Sequence, residues 1–171
     1  MVDTIDKLRI TLSEFDGHAI TLLSEAGAKY SDRTDYLDSL VALSSEGGKG
    51  VSNGATWLLK SYLDDGGGMS GEQVSHLLSQ VDGIQNWAAQ LHLCQSIQYL
   101  TVSSADADHL IYWLQPLLDH ERPFLRAWSL DAIFRVSSQY SRFDNMLEMA
   151  LSSGAKDPAA SVRAKVRSLK K

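Results

Sequence analysis

The sequence predicts an all-α chain, a short right-handed α-solenoid of about five antiparallel helix pairs that occupies residues 1–171 as one domain. Three observations carry this expectation. Apolar residues recur at steps of three and four, the period of a helix face rather than of a strand. Glycines cluster between these periodic stretches and punctuate them. The stretches also resemble one another when the chain is shifted along itself by 33 to 39 residues.

In chain order, helices are expected near 3–14, 17–28, 33–45, 50–63, 70–81, 84–101, 105–120, 123–138, 141–152 and 158–169. Leu37, Leu40, Val41 and Leu43 give the third its apolar stripe, and Gly47, Gly48 and Gly50 separate it from the fourth. Gly66, Gly67, Gly68 and Gly71 end the fourth. Ser70 with Gln73 three residues on is a capping box that starts the fifth, whose stripe is Val74, Leu77, Leu78 and Val81. Gly83 precedes the sixth; Leu110, Ile111, Leu114, Leu117 and Leu118 line the seventh; Gly154 follows the ninth. Asp157 before Pro158 reads as an N-cap with proline at the first position of the tenth. Tyr99 to Val102 is apolar enough for a strand but has no pairing partner of similar quality.

The internal shifts follow the same elements. Ala55 and Leu58 map on Ala88 and Leu91 at 33; Ala88, Leu91 and Ile97 map on Ala127, Leu130 and Val136 at 39; Leu125, Arg126 and Ala127 map on Val162, Arg163 and Ala164 at 37. A helix pair of this length cannot bury its apolar stripe alone, so neighbouring pairs must stack.

Composition narrows the function. With 44% hydrophobic and 22% charged residues and three prolines, wholesale disorder is excluded. Cys94 is the lone cysteine, so no internal disulfide and no Cys-based zinc site is available, and no cofactor is expected. The start MVDTIDKLRI carries no basic region followed by an apolar run, and residues 83–105, though uncharged, are interrupted by Gln85, Asn86, Gln90, His92, Gln95, Ser96 and Gln98. A cytoplasmic protein away from membranes is the expectation. Net charge is −5, yet residues 156–171 hold six cations against Asp157, leaving ten cations and twenty carboxylates in the rest of the chain. Such an acidic body argues against nucleic acid, whose phosphates demand Lys and Arg. The basic end suits the C-terminus of a helix, where the dipole favours cations.

Leu114-Gln-Pro-Leu-Leu-Asp-His-Glu-Arg-Pro-Phe-Leu-Arg-Ala-Trp-Ser-Leu-Asp-Ala-Ile133 resembles a HEAT repeat, with Pro116, Asp119, Leu125, Arg126 and Ala132 at the motif's places, and Asp157-Pro-Ala-Ala-Ser-Val-Arg163 resembles the same turn again. The resemblance is clearest over residues 105–171. It makes 70–171 HEAT-like repeats and 1–69 divergent N-terminal pairs. It implies that Asp119, Arg126, Asp157 and Arg163 are structural, the Asp and Arg of one turn pairing together, and that Pro116 bends its helix around the partner.

No Walker loop, nucleophile elbow or zinc-binding His pair is present. The five histidines lie apart in sequence, Asp64-Asp65-Gly-Gly-Gly68 lacks the spaced oxygens of a calcium loop, and Cys94 reads as a buried small hydrophobe. The informative group lies on the eighth helix. Leu125, Ser129, Ala132 and Val136 form the stripe for stacking, while Trp128, Asp131 and Arg135 occupy a second face. The repeat shifts add His92, Ser96 and Lys165 to that line, whereas Trp57, Trp87 and Trp113 read as packing residues. Trp and Arg are the side chains that dominate interfaces, so the expected function is a non-enzymatic scaffold or adaptor binding a protein or peptide on the inner helices. The alternative implied by the resemblance is a HEAT-like enzyme, such as an alkylated-base DNA glycosylase or a bilin lyase-type subunit.

Overall fold

Among residues 3–48 and 50–170, which the computed structural model describes, the chain forms ten α-helices and no strand. They are α1 (Thr4–Ser13), α2 (Ile20–Tyr30), α3 (Tyr36–Ser44), α4 (Val51–Asp64), α5 (Gly71–Ser79), α6 (Trp87–Ser96), α7 (Ser104–Leu114), α8 (Pro123–Gln139), α9 (Asp144–Gly154) and α10 (Ala160–Leu169). Lys171, counted in the basic terminal run, lies outside the described residues.

Half of the ten helix starts have a local cause in a capping side chain or a glycine. Asp3, Asn86 and Ser103 accept backbone N–H groups at the starts of α1, α6 and α7, and Ser70 with Gln73 forms the complete capping box at α5. α4 starts from Gly50 at φ +83°, where a Cβ would lie 2.5 Å from the Phe15 carbonyl oxygen, so only glycine fits that crossing. Two expected helices end early in 3-10 turns: Ile97–Tyr99 follows α6, and Gln115–Asp119 follows α7. The second switch falls at Pro116, which has no N–H to continue an α-helix, so the expected bend is a change of helix type. α10 starts two residues later than expected. Asp157 is not its N-cap; Ala159 is, and the Asp157 carboxylate instead accepts the Ala159 N–H at 2.7 Å.

The helices pack in two rows. α2, α4, α6, α8 and α10 each pack on the next, as do α1, α3, α5 and α7. α9 leaves the second row: it packs on α8, on α10 and on the 3-10 turn Ser141–Phe143 before it. One apolar cluster runs without a break from Leu8 through Leu40, Leu59, Leu93 and Leu110 to Phe143. The stacking stripe of α8 is wholly inside, with Leu125, Ser129, Ala132 and Val136 at 0% exposure. A second, small cluster of Leu130, Ala150 and Val166 joins α8 to the last pair. The side-chain hydrogen bonds that cross between pairs have one reach, from His109 with Asp82, 27 residues apart, to Gln80 with Val41, 39 apart. Thr56 with His92, Asp64 with Tyr99 and Asp131 with Lys165 fall within that range.

Candidate functional site

Four of the six residues on the sequence-derived line meet at the α8–α10 junction. The i,i+4 step on α8 brings Arg135 Nε to 3.3 Å from Asp131 Oδ2, and stacking brings Lys165 Nζ of α10 to 3.1 Å from Oδ1. The same ammonium sits 3.6 Å from the centre of the Trp128 ring, a cation–π contact between neighbouring pairs. Asp131 is 3% exposed, so the accessible carboxylate expected here is instead a buried anion clamped by two cations. Trp128 is half-buried against the main core, and the Arg135 side chain is 40% exposed. What this cluster offers to solvent is therefore a Trp edge and a guanidinium.

His92 and Ser96 take no part in those contacts. Ser96 is buried and donates to the His92 carbonyl at 2.8 Å, which removes it from any exposed line. The half-buried His92 imidazole lies 3.2 Å from the Thr56 hydroxyl of α4. Burial, helped by the Lys60 charge, pushes His92 down from 6.5 to about 4, so the ring is neutral near pH 7. Cys94, buried in the last turn of α6, has its thiol pushed up by desolvation and then by Asp131, which makes it inert as a nucleophile. Of the other tryptophans, Trp113 is buried and Trp57 packs on the core, but Trp87 is 40% exposed, with the Arg122 guanidinium 4.0 Å above its ring.

Arg126, Asp157 and Arg163 of the turns are engaged, in a pattern different from the expected one. Arg126 binds Asp157 through two parallel bonds of 2.8 Å, Nε to Oδ2 and Nη2 to Oδ1. Its Nη1 donates to the carbonyl of His120. Arg163 repeats that last contact one pair later, donating to the carbonyls of Asp157 and Pro158. Each arginine thus closes its own turn through carbonyls, while the Asp157 carboxylate reaches back to the preceding pair. Asp119, expected beside Arg126, is exposed and makes no hydrogen bond to it. The Arg126 guanidinium, followed by the Ala159 N–H, holds the Asp157 carboxyl below the usual carboxylate range.

A cleft of about 1270 Å³ that sequence reasoning missed lies where α9 departs from the row. Its walls are the turn Leu118–Glu121, the α9 face of Asn145, Glu148, Met149 and Ser152, and the start of the last turn at Asp157. The i, i+3, i+4, i+7 spacing of that α9 face was visible in the sequence, but nothing there showed which face would be left uncovered. Among the described residues, no cluster of three or more His, Cys, Asp or Glu has the arrangement of a metal site.

Comparison with protein-family models, with curated proteins and with solved structures finds no match to this chain.

Proposed function

We propose that this chain is a non-enzymatic, cytoplasmic protein-interaction scaffold, a right-handed solenoid of five antiparallel HEAT-like helix pairs that binds a protein or peptide on its inner face. The observation that carries this reading is the single reach of the inter-pair hydrogen bonds, 27 to 39 residues. Contacts confined to nearest neighbours produce an elongated array, and an elongated array has a continuous face for an extended partner. On that face Trp128 and Arg135 are the side chains best suited to anchor an interface.

Two measurements test it. Small-angle scattering should give an elongated particle; a near-spherical one removes the array. For a partner captured by crosslinking, Trp128→Ala should weaken binding by about 2 kcal/mol, and Arg135→Ala by about 1 kcal/mol, with helix content unchanged. Affinity unmoved by both changes would exclude the inner face.

A further inference from the structure

We propose that the cleft beneath α9 is a second docking site, a groove for a cationic amphipathic helix of a partner protein. This rests on reading the chain as an interaction module, but it uses a different surface from the inner helices.

The argument begins with the interrupted row. α1, α3 and α5 each pack against the next helix of their row, whereas α9 packs chiefly on α8, on α10 and on the 3-10 turn before it. Arg142, just before α9, ties the entry of that helix to α7 through Ser104 and Asp108. One stripe of α9, Asn145, Glu148, Met149 and Ser152, is uncovered, with Met149 74% exposed at its centre. At about 1270 Å³ the space exceeds the ~300–1,000 Å³ of small-molecule pockets and suits a piece of chain. Met149 and the half-buried Leu118 give the cleft its open apolar surface, above Leu130, Ala150 and Val162, which are already buried beneath it.

Charge decides the occupant. Asp119, Glu121 and Glu148 stand exposed on the rim and form no ion pair among the described residues. Arg126 and Asp157 neutralise each other, which leaves Lys156 as the lysine or arginine of the lining outside that pair. An exposed Met149 beside three rim carboxylates selects a helix with apolar residues on one face and Lys or Arg beside them, and it repels an acidic one.

The test uses the full chain and two synthetic helical peptides, one of Leu and Lys at helix spacing and its Leu and Glu counterpart, titrated calorimetrically. The Lys peptide should bind and the Glu peptide should not. The variant D119N/E121Q/E148Q should lose about tenfold or more in affinity, the sum of three modest ion pairs. A charge-matched control, E14Q/E25Q/D32N, removes exposed carboxylates elsewhere and should leave affinity unchanged, as should Trp128→Ala. No binding of the Lys peptide, or equal losses in the two triple variants, overturns the groove. Loss with Trp128→Ala and not with D119N/E121Q/E148Q also overturns it, while leaving the inner-face reading standing.

Discussion

The second helix pair and the last are built on the same plan and held by different forces. α3 and α4 bury six and eight residues, among them Leu40, Leu43, Ala55 and Leu59. α9 buries Ala150 alone, and α10 buries Val162 and Val166. The polar contacts run the other way. Between α3 and α4 they are neutral, as in the Ser52 hydroxyl donating to the Ser44 carbonyl, and one ion pair, Arg9 with Glu46, joins this pair to the first. The last pair is fastened by Arg126 with Asp157 and by Lys165 with Asp131, and its entry turn by Arg142 with Asp108. A layer with a neighbour on each side can spend both faces on apolar burial. A layer at the end of a row has one open side and less to bury, so paired charges make up more of its docking. The lesson is that the α9–α10 pair should be the least stable cooperative unit.

Four outcomes would break or sharpen this contrast. The largest effect belongs to the apolar layers: Leu59→Ala, in a position 1% exposed, should lower global stability by about 3 kcal/mol in denaturant titrations. A loss below about 1 kcal/mol would mean that the α3–α4 layer repacks and is not the rigid end of the comparison.

Next is Asp157→Ala, which leaves Arg126 without its bidentate partner and should cost about 2 kcal/mol. Amide exchange should speed up over residues 144–169 while α3 and α4 keep their protection. Uniform acceleration along the chain would show that the last pair is not a separate unit.

Acid should act first where α6 meets α4, at His92, and only then on the last pair. His92 binds its proton at about 4 when folded and at 6.5 when unfolded, so the unfolded chain takes up more protons between those values. Stability therefore falls as pH drops from 6.5 to about 4, and His92→Gln should flatten Tm across that window. Asp157 has a depressed folded pKa, so its contribution is complete above the ordinary carboxylate range and is lost only below it, as pH falls through the folded value. A His92→Gln chain with an unchanged slope between 6.5 and 4 would contradict the burial of that ring.

The smallest effect is expected for Arg142→Ala, whose ion pair with Asp108 is largely solvated, the two side chains being 38% and 70% exposed. A loss of no more than about 1 kcal/mol should follow, shrinking with added salt.

The sequence by itself determined the class of fold and its grain. Ten helices lie close to where the apolar steps and glycine clusters place them, because a helix stripe depends only on residues three and four apart. For the same reason the capping box at Ser70 and the Asp131–Arg135 contact were legible, each lying within one or two turns. The repeat shifts even carried Trp128 onto Lys165, which the structure brings into contact. Contacts between pairs were otherwise decided by tertiary structure. Asp157 finds Arg126, 31 residues earlier, rather than Arg163, six residues later, because the phase and distance of neighbouring helices choose the partner and sequence spacing does not encode either. The same reason explains why Ser96 and Asp131 lie buried on a face that their helical positions alone allowed to be open. The cleft was beyond the sequence altogether, since it lies between the Leu118–Glu121 turn and α9, elements about 30 residues apart whose relative placement leaves no mark on either one's own periodicity.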